Sequence, residues 1–497
     1  MLLQNEIRAL RQTFGEMTKH WLRAALAGRA VLTGGLMLSA ALAPAAGEVI
    51  VYIADQDQDE VFNLYRTDVK TSSVTKLNPP LTVGGSVVNT DIDDKGKSVA
   101  YIADQDIDGV YELYNVDVKT GTVKKLNLPL DGDRDVDFFR FDAKGTGVIY
   151  IANQDTTNIT ELYRADLKTS AITKLSAPLT ADRSVQYFEM DTQGKNLVYI
   201  ADPDIDNVYE LFHRDMKSGA VNKINPTFTA EQQTNFFHLD SKGKFVVYTA
   251  NQDSTATYEL YKADLKTGLV SKLNAPLAAG GNVQGFEIDS KGKSVVYTAD
   301  QDTVGLTELY RVDLKTGAVS KISAPQTAGA FGVDSNFQIS PKGDVIVYRA
   351  DQDVVDKSEL YKVDLKTSSV TKLNGPLIAD GDVSSPFVID PKGKSVAFVA
   401  DHLIDGAREL FRADFKASST VTLNPPLASG GSIGSGFLQF GGKGKTLNYI
   451  ADQDQDDVFN AYQIDVKTGA VIRLNDPLVP NGGVEFLRVQ GNHFLLL

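Results

Sequence analysis

Short apolar phrases separated by polar turns run along the chain from residue 49 onward, and they recur. Residues 282–325 show one full set: Asn-Val-Gln-Gly-Phe-Glu-Ile-Asp-Ser-Lys-Gly-Lys, Ser-Val-Val-Tyr-Thr-Ala-Asp-Gln-Asp, Glu-Leu-Tyr-Arg-Val-Asp-Leu-Lys-Thr-Gly and Ala-Val-Ser-Lys-Ile-Ser-Ala-Pro. The apolar segments are brief, rich in Val, Ile, Tyr and Phe, and bounded by turn residues, which is the pattern of strands. Asp-x-Lys-Gly-Lys and Asp-x-Lys-Thr-Gly are tight-turn sequences, because Asp bonds the backbone ahead of it and Gly accepts positive φ. No stretch after the leader sustains helical spacing with caps. The predicted strands of this set are a (283–288), b (294–298), c (308–312) and d (318–322).

The unit repeats nine times. An aromatic residue followed two positions later by Ala, then Asp or Asn, stands at Tyr52, Tyr101, Tyr150, Tyr199, Tyr248, Tyr297, Tyr348, Phe398 and Tyr449, in steps of 49 to 51 residues. Four antiparallel strands per unit of this length is the signature of a β-propeller blade. The first unit opens on strand b (49–54), and the last strand a lies at 484–489. The expected fold is therefore all-β: a single β-propeller of nine four-stranded blades, closed by pairing of the C-terminal strand with the first blade. An eight-bladed ring with one displaced repeat is the alternative. Residues 493–497 read as the start of a surplus b strand at the seam.

Ahead of the repeats lies different material. Arg8, Arg11, Lys19, Arg23 and Arg29 precede an apolar run at 30–43 and then Pro44-Ala45-Ala46, the order of a secretory signal peptide. Cleavage is expected near 45/46, giving a leader (1–46) and a propeller (47–497). The run falls short of the roughly 20 residues that a spanning helix needs; a retained anchor is the rival reading, and Met17 is an alternative start. The whole chain has 497 residues and a net charge of −14. Beyond the leader the balance is 45 basic to 62 acidic residues, and the single Trp is lost. That balance argues against nucleic acid as a partner. The absence of cysteine excludes disulfides, thiolate metal sites and thiol nucleophiles.

The order of phrases resembles the TolB-type, WD40-like β-propeller repeat over roughly residues 47–489. Ser340-Pro-Lys-Gly343, Tyr348-Arg-Ala-Asp-Gln-Asp353, Leu360-Tyr361 and Asp364-Leu-Lys-Thr367 carry the resemblance. It implies a propeller and little about activity, because propellers host unrelated functions.

Antiparallel strands put the b–c and d–a loops on one face and the a–b and c–d turns on the other. The turns carry lysines such as Lys95, Lys242 and Lys315, whereas b–c loops carry runs such as Asp55-Gln-Asp-Gln-Asp-Glu60. Asp104, Asp106, Asp108 and Glu112, with Gly109 at the bend, have the alternating oxygen ligands of a Ca²⁺ loop. Asp202, Asp204, Asp206 and Glu210 form a second candidate set. The competing reading is that the first two Asp residues only cap the turn. No cofactor is required on either view, and Ca²⁺ is an optional stabiliser.

Gly430-Gly-Ser432-Ile-Gly434 matches G-x-S-x-G but precedes a strand, so it is no nucleophile elbow. The histidines His213, His238, His402 and His493 are scattered. The acidic positions recur blade after blade, whereas catalysis needs one asymmetric site. The expectation is thus an exported, monomeric, non-enzymatic scaffold in the periplasm or outside the cell, with no transmembrane anchor after cleavage. It would bind an envelope or extracellular protein, or a glycan, through its variable d–a loops. The alternative is a carbohydrate-active or other hydrolytic propeller using carboxylates at the channel mouth.

Overall fold

The turns follow from their side chains. In the c–d turn of the second blade, the Asp117 carboxylate accepts the backbone N–H groups of Lys119 (3.0 Å) and Thr120 (2.8 Å). Those amides hold its carboxyl below the usual range. In the a–b turn before it, Asp93 accepts from Lys97 (2.6 Å) and Ser98 (2.8 Å), and Gly96 supplies the positive φ of 63°. Such turns fold each repeat into a meander.

The computed structural model describes residues 48–490 apart from 181, 403–405, 418 and 442. The expected leader (1–46) and the surplus strand at 493–497 lie outside the described residues. Nine four-stranded antiparallel sheets form, so the chain is a nine-bladed propeller and the eight-bladed alternative falls. Among the described residues there is no helix long and apolar enough to cross a membrane.

Blade 1 consists of strand b (Ile50–Ala54), c (Asn63–Asp68) and d (Ser73–Lys76), completed by strand a (Val484–Val489) from the other end of the chain. The seam is in register, with Ile50 opposite Val489 and Tyr52 opposite Leu487. That closing strand touches both neighbouring a strands, Val87–Ile92 and Ile433–Phe440, which closes the ring and removes an open sheet edge. The a strands pack against one another and line the central channel. The d strands, mostly exposed in blade 1, form the outer rim.

The core sits between blades. Ala100 and Ile102 of one blade pack on Phe139, Val148 and Tyr150 of the next. Within each blade an aromatic residue of strand b, Phe398 in blade 8 and tyrosine in the others, stacks on an aromatic of strand c, as Tyr101 does on Tyr114 with centroids 5.3 Å apart. Such a pair adds roughly 1 kcal/mol beyond its burial. The Tyr101 hydroxyl donates to Gln105 at 2.9 Å, which explains the Gln in the recurring Asp-Gln-Asp.

Candidate functional site

The two expected Ca²⁺ sets split in the same way. Asp104 turns inward: its two carboxylate oxygens accept the N–H groups of Ser86 (2.6 Å) and Gly109 (3.0 Å). Asp106 and Glu112 converge on the Lys125 ammonium, at 2.8 and 2.5 Å, and Glu112 also accepts from the Tyr114 hydroxyl and the Leu130 N–H. Asp108 stands exposed against Gly84. In the other set Asp202 accepts from Ser184 (2.6 Å) and Asn207 (3.1 Å). Asp204 and Glu210 face Lys223 at 3.9 and 3.0 Å, and Asp206 pairs with Arg183 at 3.5 Å.

The chain thus supplies its own cation between the third and ninth positions of these loops. Burial pulls the Lys125 ammonium down, but its bonds to Asp106 and Glu112 outweigh this and raise it. Burial likewise pushes the Asp202 carboxyl up against the pull of its two amide donors. The same lysine arrangement recurs at Lys174, Lys272, Lys321 and Lys372. These lysines end strand d on the acidic face, so that face is less acidic than its loops alone imply. Among the described residues, Asp452, Asp456 and Asp457 form a carboxylate group whose oxygens lie within 4.8 Å of one another.

Chemistry that does not repeat lies on the channel strands. The next-to-last residue of successive a strands forms a belt. One arc is charged: Arg488, Asp91, Arg140, Glu189, His238 and Glu287. The other is neutral: Gln338, Val388 and Gln439. Glu189 meets His238 Nδ1 at 2.9 Å and accepts the Leu239 N–H at 2.7 Å. Glu287 accepts the Ile339 N–H at 3.0 Å, and Gln338 accepts that of Ile389 at 2.9 Å. Each of these three side chains latches its blade to the next.

The belt is electrostatically tuned. Burial pushes Glu287 up to about 7, with the Ile339 amide and the His238 charge pulling the other way. Burial also depresses His238, but its bond to Glu189 and the charge of Glu287 reverse this and raise it. Arg140 lies over the rings of Phe138 and Tyr187, at 5.4 and 5.6 Å from their centroids.

Nearer the acidic face, the second residue of the a strands forms the channel mouth. Three of its positions are acidic: Asp137, Asp334 and Glu485. Asp334 is ion-paired with Arg349. Glu485 is open to solvent yet walled by the bore; that enclosure, and then the charge of Asp55, push its carboxyl up to about 7. Asp55 itself accepts the Gly483 N–H at 2.6 Å, two residues before Glu485. Gly430–Gly434 lies in a d–a loop running into a strand, with the Ser432 N–H donating to Asp452 at 2.5 Å, so it is no nucleophile elbow.

The loop-centred reading of the sequence missed the belt and Glu485. The signal was present. In the aligned repeats the column holding Asp91, Arg140, Glu189, His238 and Glu287 changes charge from blade to blade, while the residues around it stay apolar.

No family model matches the sequence, and neither does any curated protein. Solved structures do. A dipeptidyl peptidase 4 of Porphyromonas gingivalis is similar, with a TM-score of 0.59 and 11% identity, covering 78% of this chain and 59% of that one. An oligogalacturonate lyase of Vibrio parahaemolyticus has a TM-score of 0.42 and 13% identity, with 76% and 100% covered. TolB of Acinetobacter baumannii has a TM-score of 0.30 and 14% identity, with 65% and 79% covered. The chain spans less than two thirds of the dipeptidyl peptidase. At this identity the likeness to the peptidase is one of fold, and the two lower scores support no more. The resemblance to TolB-type propellers stands at that level, carried by the nine blades themselves.

One expectation is overturned. The chain was expected not to be an enzyme, on the ground that its loops repeat; yet the structure that it resembles in fold over 78% of its length is that of a peptidase. Repeating loops do not argue against catalysis when the non-repeating groups face the channel.

Proposed function

We propose that this propeller is a hydrolytic enzyme, exported to the periplasm or beyond, that acts on an envelope or extracellular glycan or protein at the acidic mouth of its channel. One observation carries the reading: Glu485 stands at the channel mouth on the closing strand, close to Asp55, and its carboxyl is pushed up to about 7. Near neutral pH such a group is present in both protonation states, which suits it to donate a proton to a leaving group and recover it from water. Asp137 and Asp334 are the other carboxylates at the mouth and are candidates to activate that water. The dipeptidyl peptidase that is similar in fold is itself a hydrolase, and that likeness specifies no bond for this chain.

A panel of chromogenic glycosides and peptide anilides tests it. Turnover is expected to fall at least roughly a hundredfold in Glu485→Gln, with a melting temperature that is not lowered, and to decline above about pH 7 in the native chain. No turnover on either substrate class, or full turnover in Glu485→Gln, defeats the reading.

A further inference from the structure

Planar polar side chains line the channel mouth. In blades 3 to 7 the second residue of strand a is Asp137, Gln186, Asn235, Gln284 and Asp334, and on the closing strand it is Glu485. None of the nine second residues is basic. Gln186 donates its amide N–H to Ser184 Oγ at 2.6 Å, and Gln284 donates to Thr307 Oγ1 at 2.9 Å. The oxygens of both amides, and both side-chain atoms of the exposed Asn235, have no hydrogen-bond partner among the described residues. A mouth built from carboxylate and carboxamide oxygens calls for a ligand that donates hydrogen bonds.

Aromatic rings stand at the same place. Among the described residues three aromatic side chains are exposed: Phe236 at 52%, Phe331 at 71% and Phe459 at 36%. Phe236 follows Asn235 on the blade 5 strand. Its counterpart in blade 3, Phe138, packs on Tyr187 of the next blade with centroids 5.7 Å apart, but the blade after Phe236 offers Gly285 and no ring. Phe331 lies two residues before strand a of blade 7 and donates its N–H to Asp351 at 2.9 Å. The ring of Phe459 lies beside Gly434, the second residue of the blade 9 strand. Its carbonyl accepts the N–H of Val484, the neighbour of Glu485, at 2.9 Å. Rings left in water gain by being covered.

We infer that the channel mouth binds a neutral glycan, whose sugar-ring C–H faces pack on these phenylalanines while its hydroxyls donate to the carboxylates and amides. A hydroxyl can donate at every acceptor. A peptide brings one carbonyl for each N–H, and here those carbonyls would lack donors. An anionic glycan would set its carboxylates against Asp137, Asp334 and Glu485. A cation gains less, because Asp334 already has Arg349 as its partner. The inference rests on the mouth being the site of action and narrows its substrate from glycan or protein to glycan.

The test is isothermal titration calorimetry of the full chain with neutral hexasaccharides: cellohexaose, mannohexaose and N-acetylchitohexaose. Controls are hexagalacturonate and a neutral Ala-Ser peptide of similar length. At least one neutral hexasaccharide is expected to bind, and both controls to bind at least roughly tenfold more weakly. Phe236→Leu keeps apolar bulk but removes the ring face, and it should lose about tenfold in affinity. Gln284→Leu should lose a similar factor, whereas Leu269→Ser, in a c–d turn on the opposite face, should lose none. Circular dichroism confirms that the variants are folded. No binding of any neutral hexasaccharide, equal binding of either control, or an affinity that Phe236→Leu leaves unmoved overturns the inference. Glycan binding without turnover leaves the inference standing and removes the hydrolytic reading; turnover of a peptide anilide without glycan binding does the reverse.

Discussion

Replacing Glu287 by Gln isolates the electrostatic cost of the channel belt. Burial raises this carboxyl from 4.5 to about 7, so above neutrality the folded chain holds a charge that the unfolded chain carries more cheaply. At 1.36 kcal/mol per tenfold, the full cost is at most roughly 3 kcal/mol, and relaxation of the channel wall brings the expectation to about 1–2 kcal/mol. Gln keeps an oxygen for the Ile339 N–H, now at 3.0 Å, and drops the charge. Because the folded value lies above the unfolded one, the group's contribution is whole below 4.5 and drains away as pH rises to about 7. Native and variant chains should therefore melt together near pH 4, and the variant should melt higher near pH 8. With an unfolding entropy of about 2 cal/mol/K per residue over some 440 residues, the gain is about 1–2 °C. Differential scanning calorimetry across that range is the assay. Melting curves that stay parallel at every pH, or a variant that melts lower at the alkaline end, would refute the account of Glu287. His238→Gln supplies an internal check: without the imidazolium that pulls Glu287 down, the loss of stability should begin at the same pH and run on to a higher one.

Two further changes probe the lysine arrangement on the acidic face. Lys125→Met leaves Asp106 and the buried Glu112 facing each other without a cation and should cost about 2 kcal/mol, seen as a lower urea midpoint. Millimolar Ca²⁺ should recover part of that loss, since those two carboxylates then lack their cation. Blade 8 offers the reverse experiment. Thr422 stands opposite Phe411, where Lys125 stands opposite Tyr114, and among the described residues the ion pair of Glu409 is with His402, at 3.8 Å. Thr422→Lys should therefore raise the midpoint, by about 1 kcal/mol; a fall would show that the lysine is not what holds these loops.

The propeller was legible because its information is local and redundant. Asp117 and Asp93 cap their turns whatever lies beyond, and nine copies of the same phrase leave one closed arrangement that buries every aromatic pair. The lysine that reaches Glu112 from thirteen residues on was also in plain sight, and the same spacing joins Glu161 to Lys174 and Glu308 to Lys321. It was overlooked because loops were weighed by their own residues, not by what strand d delivers to them. The belt was harder to see. Glu189, His238 and Glu287 sit one per blade, and only closure of the ring sets them side by side across blades, 49 residues apart in sequence. In a repeat protein the shared residues build the scaffold, so chemistry is to be sought where copies disagree. Here the copies disagree at the channel column and at the channel mouth, and the closing strand carries a member of each, Arg488 and Glu485. That coincidence, more than any loop motif, makes the closing strand the place to mutate first.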